Sequence, residues 1–153
     1  MTSVTTAPPN RTLLDTSLLV MRIIVGIIFA VHGSQKMWGW FGGNGLQATV
    51  EMLGVGPVGY LVAIGEFFGG VGLILGFLSR FSAASLVVIM LGAIQMVHGK
   101  NGFLMSSGGF EYNLALIGLL IPILLLGPGQ FAVGRFLPLP KSSKTGRTVI
   151  GLE

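Results

Sequence analysis

The chain has 153 residues, of which 52% are hydrophobic and only 9% are charged. Because a soluble domain carries about 25% charged residues, this composition excludes a soluble protein, and the mean hydropathy of +0.84 indicates an integral membrane protein. The net charge of +4 lies near the ends of the sequence, where an anionic membrane surface explains it, so we expect no nucleic-acid partner.

Residues 1–16 are polar and contain prolines, and no cleavage site of the signal-peptide type follows the first apolar stretch. We therefore expect a cytoplasmic N-terminal segment and a first apolar stretch that is retained as a helix. Four stretches have about the 20 apolar residues that cross a bilayer, and unpaired backbone groups are excluded from lipid, so each should be a helix. Their approximate ranges are 17–37, 57–78, 81–99 and 110–127.

The sequence therefore predicts an all-α fold, a four-transmembrane-helix bundle over residues 17–137. The segments between and after these helices fit this prediction. Residues 38–56 include "LQATVEMLG", which is typical of a short helix along the membrane interface. The very short connection near Ser79 makes the second and third helices antiparallel neighbours. Residues 138–153 form a basic tail.

Positive charges predict the orientation. Lys36 and Lys100 fall on one side, whereas the other side carries Arg11, Arg80, Arg135, Lys141, Lys144 and Arg147. We therefore expect a multi-pass protein of a bacterial plasma (inner) membrane with both termini in the cytoplasm. "VHG" occurs at 31–33 and again at 97–99, near the outward ends of two helices, as a duplicated helix pair would place it.

Polar residues of four different helices are predicted at a similar depth. On a rise of about 1.5 Å per residue from the cytoplasmic end, His32, Glu66 and Gln95 lie at roughly 20–22 Å. His98 and Glu111 lie near 26 Å on the same scale. Because polar residues in a span cost about 2.5–3.5 kcal/mol each, this layer calls for a purpose.

Helical facing places these residues inside the bundle. Glycines share the face of Glu66 and line up with Gln95, and small residues let membrane helices approach closely. The fourth helix has a corresponding stripe of Glu111, Ala115, Gly118 and Pro122. The sequence therefore predicts a polar pocket that opens outward. Arg22 lies nearer the cytoplasm, where a backbone carbonyl, a lipid phosphate or a ligand could pair with it.

The chemistry of the layer leaves two interpretations for each residue. His32 and Lys36 could bind an anionic or quinone headgroup, or Lys36 could extend to the surface while His32 bonds a neighbour. Glu66 and His32 could handle protons as a pair, or Glu66 could only tie helices together, a contact that contributes about 0.6 kcal/mol. Lys36, Gln95, His98 and Glu111 would then orient the ligand.

Two histidines and two carboxylates could in principle bind a metal ion together: His32, Glu66, His98 and Glu111. The chain lacks the Glu-x-x-His motif of di-iron bundles, so no metal site is predicted. The absence of cysteine excludes thiolate ligands and covalent haem attachment. A redox function would therefore depend on a cofactor that is not covalently bound, such as a quinone.

Several segments together resemble the DoxX-like family of small bacterial membrane proteins over about residues 18 to 131. They are "MRIIVGIIFAVHGSQKMWGWFGG", "GEFFGGVGLILGFLSR", "VHGKNGF" and "GGFEYNLAL", followed by "GPG". The resemblance implies four transmembrane helices and a link to redox chemistry, since relatives are quinone-linked oxidoreductase subunits or partners of oxidative-stress enzymes. One departure is Gly134 before Arg135, where relatives commonly have Asp.

The predicted function is an accessory or quinone-reactive subunit of a membrane redox or oxidative-stress pathway, with membrane or soluble redox proteins as partners. Two alternatives stay open. A small-solute or proton carrier needs polar residues through the whole membrane, and a non-catalytic assembly factor needs glycine faces that bind partner helices.

Overall fold

A computed structural model describes residues 10–54 and 56–135 of the chain. Within these ranges the structure is helical and contains no β-strand. The helices are α1 (Arg11–Trp38), α2 (Gly45–Leu53), α3 (Pro57–Leu75), α4 (Ser79–Ala93) and α5 (Glu111–Leu126). The predicted tail at 138–153 lies outside the described residues, as do residues 1–9 of the N-terminal segment.

Three helices are long and apolar enough to cross a membrane: α1, α3, and α4 together with its continuation to Asn101. α5 is also apolar but has 16 residues, fewer than the others. The all-helical membrane fold is therefore confirmed for the described residues, with three candidate spans and a shorter apolar helix.

The first helix begins at Arg11 instead of near residue 17. Asn10 caps it, because its side-chain oxygen accepts hydrogen bonds from the backbone N–H groups of Thr12 at 3.1 Å and Leu13 at 3.4 Å. Such a cap satisfies N–H groups that have no partner within the helix. Residues 11–16 therefore continue α1, although hydropathy alone assigned them to a polar segment.

α4 does not continue as a regular helix to residue 99. A π-helix spans Ile94–His98, and a short 3-10 turn follows at Gly99–Asn101. The wider π turn changes the direction of the side chains, and Gln95 is exposed instead of facing inward with the glycines. The two "VHG" stretches also differ, since 31–33 lies in regular α-helix.

The tightest packing joins α1 to α3. An added Cβ at Gly26 would lie 2.8 Å from the carbonyl oxygen of Gly70, and one at Gly70 would lie 2.5 Å from the backbone nitrogen of Ala30. An added Cβ at Gly33 would overlap the backbone of Phe67. The predicted role of these glycines in close helix approach is therefore seen directly in the packing.

α4 packs against both α3 and α5, and α1 touches α5 over a smaller area. The apolar core lies among these four helices and includes Val25, Phe29, Leu73, Leu86 and Leu120. We call the end of the bundle that holds Asn10, Gly76 and Gly127 the inner end. The opposite end, with Trp38 and His98, is the outer end.

The predicted inward stripe of α5 is wrong. Glu111, Ala115 and Gly118 are exposed, and Pro122 is half-buried. The buried face instead consists of Asn113, Leu116, Ile117, Leu120 and Ile123. Large aliphatic side chains occupy the core because they make many dispersion contacts with the neighbouring helices, which small residues cannot match.

Candidate functional site

An ion pair between α1 and α3 is the central polar contact of the outer half. Lys36 Nζ lies 2.5 Å from Glu66 Oε2. The Glu66 side chain is 5% exposed and the Lys36 side chain 25% exposed, so the carboxylate is enclosed while the ammonium retains access to its surroundings. Close approach of the helices at Gly33 and Phe67 brings the two side chains together.

Aromatic rings pack together at the outer end, on residues close in sequence to Lys36 and Glu66. Trp38 meets Phe67 edge to face with ring centroids 4.8 Å apart, and it stacks on Trp40 at 5.1 Å. Phe67 also meets Phe68 edge to face. Trp38, Trp40 and Phe68 are exposed, so the rings form a partly open apolar surface at the outer end. Ammonium, carboxylate and ring faces together suit a planar headgroup with carbonyl oxygens.

His32 does not contact Glu66 in this structure. Its Nδ1 lies 3.0 Å from the side-chain oxygen of Gln35, and its ring meets Tyr112 with centroids 6.4 Å apart. The predicted proton-sharing pair of His32 and Glu66 is therefore replaced by a contact between Glu66 and Lys36. The sequence predicts ligand orientation or anchoring for Lys36. It does not show the contact with Glu66, because the sequence of one helix does not reveal which side chains of a neighbouring helix it meets.

Asn113 is a buried polar residue that sequence reasoning missed. It is 6% exposed, and its Nδ2 donates to the sulfur of Met90 on α4 at 3.4 Å. A single amide in an apolar run carries only a weak signal, although its place one turn inside the start of α5 puts it near the predicted layer. This contact joins α4 to α5 in the outer half, as the ion pair joins α1 to α3 and the rings of His32 and Tyr112 join α1 to α5.

The other predicted ligand residues lie apart from the ion pair. Gln95 is exposed on the π-helix. His98 Nδ1 bonds the carbonyl oxygen of Gly108 at 2.8 Å, and Glu111 accepts from the backbone N–H of Met105 at 3.0 Å. These two contacts hold the loop between α4 and α5. Residues 10–54 and 56–135 contain no group of three or more side chains that could hold a metal ion.

Arg22 is buried at the inner end, with 1% exposure. Its Nη1 donates to the carbonyls of Leu73 at 2.8 Å and Ile74 at 2.7 Å, and its Nη2 donates to the carbonyl of Phe131. The last carbonyls of a helix have no partner within it and carry partial negative charge, so the guanidinium satisfies the end of α3. Of the partners predicted for Arg22, which were a backbone carbonyl, a lipid phosphate or a ligand, the structure shows backbone carbonyls.

The "GPG" segment folds back across the inner end. Asp15 accepts a hydrogen bond from the backbone N–H of Gln130 at 3.0 Å, and Gly134 N–H bonds the carbonyl of Gly76 at 3.4 Å. Arg80 donates to the carbonyl of Leu125 at 3.0 Å. Together with Arg22, these contacts fasten residues 127–134 beneath the core.

Two grooves lie on apolar surfaces away from the polar layer. One of about 440 Å³ runs between α1 and α5 and is lined by Val20, Ile24 and Leu119 among others. The other, of about 380 Å³, runs between α3 and α4 beside Gly65, Phe68 and Phe81. Neither groove includes a residue of the predicted outward pocket.

Comparison with known proteins identifies relatives of this chain. A family model described as DoxX matches residues 17–99. The chain is 32% identical over 124 residues to "Inner membrane protein YqjF" of Escherichia coli strain K12, covering 80% of this chain and 93% of that protein. It is 32% identical over 123 residues to "Putative oxidoreductase CatD" of Bacillus subtilis strain 168, covering 78% and 85%. No solved structure matches the chain at a significant level.

Proposed function

Because the chain belongs to the DoxX family of membrane proteins, we propose that it is an inner-membrane component of a redox pathway whose quinone-binding site is built on Lys36 and Glu66. The observation that carries the proposal is the ion pair at 2.5 Å between Lys36 and the buried Glu66, at the end of the bundle where Trp38 packs against Phe67. The names of the two relatives, "Inner membrane protein YqjF" and "Putative oxidoreductase CatD", support the location and the reaction class.

The proposed topology has four crossings, with α5 as the fourth. Its 16 residues rise about 24 Å, and residues 127–134 continue at the inner end, which supports a crossing of a hydrocarbon layer about 30 Å thick. Arg11 and Arg80 lie at the inner end, whereas Lys36 and Lys100 lie toward the outer end, so both termini are cytoplasmic. The up-and-down order of the helices also supports an origin by duplication of a helix pair.

The residues of this site fit a quinone headgroup. When bound, such a group accepts electrons and protons at its carbonyl oxygens. The Lys36 ammonium has three N–H donors, of which the bond to Glu66 uses one, so others can donate to a carbonyl oxygen. Glu66 holds the ammonium in place, so that a proton of Lys36 is available to a carbonyl oxygen as the headgroup is reduced. The ring of Trp38 offers a face or edge for the headgroup.

His32 belongs to the proposed site as a second proton-handling residue, one helical turn from Lys36 on α1. Gln95, His98 and Glu111 were predicted to orient the ligand, and we retain only His98 and Glu111, as residues that shape the loop above the site. Their bonds to Gly108 and Met105 support this role. The electron donor would be a membrane or soluble redox protein.

The carrier alternative has less support. Between the ion pair and the inner end the buried side chains are mostly aliphatic, and Arg22 uses its donors on backbone carbonyls. A carrier needs polar groups along its route. The apolar middle of the bundle therefore favours chemistry at the outer half over transport through the protein.

The assembly-factor alternative rests on one observation, the exposed glycine of α5. An added Cβ at Gly118 would meet nothing within 4 Å, unlike the glycines that contact a neighbouring helix. Gly118→Leu should abolish co-purification of a partner protein from gently solubilised membranes if this face binds a helix. Co-purification that survives this change removes the alternative.

Tryptophan fluorescence in nanodiscs tests the proposed function, because the chain has only two tryptophans and both lie at the outer end, within four residues of Lys36. Titration with ubiquinone-1 should quench the wild type with saturation. Lys36→Met and Glu66→Gln should lose the saturable component. Glu51→Gln is the matched control, since Glu51 is an exposed carboxylate on α2 that contacts only Gln47.

The same variants can be tested for complementation by expressing each in a strain from which the gene is deleted. We expect the wild type and Glu51→Gln to restore its redox-stress phenotype, and Lys36→Met and Glu66→Gln to fail at equal expression. Full complementation by both site variants, or unchanged saturable quenching, contradicts the proposal.

A further inference from the structure

Gln35 lies between the loop after α1 and His32, and it bonds both. Its Nε2 donates to the carbonyl oxygen of Phe41 at 3.2 Å, and its Oε1 lies 3.0 Å from Nδ1 of His32. Neither proton-handling scheme above uses Gln35. It nevertheless makes the one side-chain hydrogen bond recorded for His32 within the described part of the chain.

The direction of these bonds follows from simple chemistry. A backbone carbonyl only accepts hydrogen bonds, so the amide nitrogen of Gln35 must face Phe41. The amide oxygen then faces His32, and it too can only accept. Nδ1 of His32 must therefore carry the proton, which leaves Nε2 of the neutral ring as an acceptor.

We propose that Gln35 is a positioning residue that holds His32 as the Nδ1–H tautomer, so that Nε2 is presented as the acceptor for an O–H or N–H group of a ligand. The tautomer stands on the geometry of Gln35 alone. The ligand role rests on the proposed function, in which the reduced form of the headgroup offers an O–H donor, and Lys36 has no acceptor for it.

Several contacts hold Gln35 in this arrangement. Gly39 N–H bonds its carbonyl at 3.2 Å, and an added Cβ at Gly43 would overlap the Gln35 backbone. Phe41 has a positive φ of 52°, a conformation that costs a non-glycine residue energy, and the amide of Gln35 contributes to holding it. Gln35 thus also stabilises the loop at Phe41, and the test must separate this structural role from its effect on the tautomer of His32.

Nitrogen NMR of the full chain in nanodiscs, with ¹⁵N-labelled histidine at a pH where both rings are neutral, reads the tautomer directly. The chain has two histidines, and His98→Gln assigns them. In the wild type we expect His32 to show a protonated Nδ1 and an unprotonated Nε2. Gln35→Leu should shift intensity at Nε2 of His32 toward the protonated range.

Three controls separate positioning from folding. Gln35→Glu keeps an oxygen toward Nδ1 and should restore the Nδ1–H form, although its bond to Phe41 is lost. Gln47→Leu, on exposed α2, should change neither histidine. The resonances of His98, which bonds Gly108 instead, should stay constant in every Gln35 variant and so report an intact fold.

The ligand role has a separate readout. Gln35→Leu should weaken binding of a reduced quinol about five- to tenfold, the scale of one lost hydrogen bond, and binding of the oxidised quinone less. A wild-type His32 with protonated Nε2, or a tautomer that Gln35→Leu leaves unchanged, overturns the positioning role. A confirmed tautomer with equal quinol and quinone losses overturns the ligand role alone, and unsaturable quenching by ubiquinone-1 overturns the proposed function instead.

Discussion

Two cations on the same helix illustrate how differently a buried charge can be satisfied. Lys36 faces a carboxylate, whereas Arg22 faces only carbonyl oxygens. The compact ammonium at the outer half keeps partial exposure, and the planar guanidinium spreads its donors over several carbonyls at the inner end. The first arrangement leaves room for chemistry, and the second uses its donors for structure.

A double-mutant cycle tests the coupling of Lys36 and Glu66. Lys36→Met or Glu66→Gln alone leaves a group without its partner and should lower the free energy of unfolding by about 1–3 kcal/mol. The double variant should lose much less than the sum of the two. Unfolding followed by circular dichroism in mild detergent measures this. Additive losses would show that the pair is not coupled in solution.

Arg22→Lys tests the structural role of the guanidinium. A single ammonium cannot reproduce the planar fork that reaches Leu73, Ile74 and Phe131. We expect faster hydrogen–deuterium exchange in residues 127–134 and near the end of α3. Arg11→Lys is the control, because Arg11 is exposed in the first turn of α1 and takes no part in these contacts. Equal exchange of residues 127–134 in wild type and Arg22→Lys would argue against this role.

At the scale of the helices, glycine placement decides which surfaces meet. Gly26, Gly33 and Gly70 bring the backbones of α1 and α3 into contact. Gly118 on α5 has open space around it. The same residue type thus serves close packing in one helix pair and leaves a bare surface on another helix.

This contrast between packed and open glycines can be tested with two matched alanine substitutions. Gly33→Ala drives a methyl group into the backbone of Phe67 and should lower the free energy of unfolding by at least about 1–3 kcal/mol. Gly118→Ala should be neutral or stabilising by up to about 1 kcal/mol, since alanine favours helix. Thermal melting of both proteins in one detergent compares them. A loss in Gly118→Ala as large as in Gly33→Ala contradicts the packing described.

The helices and the glycine faces of α1 and α3 were predictable, because hydropathy and the period of 3.6 residues can be read from the sequence of one helix alone. The motifs that carry the DoxX resemblance were also sufficient to identify the family. The pairing of Lys36 with Glu66 was not predictable, since it depends on how far α1 and α3 slide past each other. The exposure of Gln95 depends on a π turn that leaves no signature in hydropathy.

At the scale of the whole molecule, polar contacts gather at the two ends of the bundle and an apolar core separates them. The outer half holds the ion pair and the Gln35–His32 contact, and the inner end holds Arg22 and the folded-back segment 127–134. The orientation of this bundle and the crossing by α5 stay predictions.

Cysteine labelling tests both, because the chain has no native cysteine. Phe103→Cys and Gln130→Cys place single thiols at exposed residues on either side of α5. A membrane-impermeant maleimide should label residue 103 in intact spheroplasts and residue 130 only after permeabilisation. Labelling of both from the same side would show that α5 does not cross.

The apolar core has an electrical consequence. Val25, Phe29, Leu73 and Leu120 are fully buried between the ion pair and the inner end, and no chain of titratable groups bridges the described residues there. Protons that reach Lys36 and Glu66 must then enter and leave by the outer face. With an electron donor on that same face, turnover at this site would move no charge across the bilayer, and its rate should be the same in energised and in depolarised membranes.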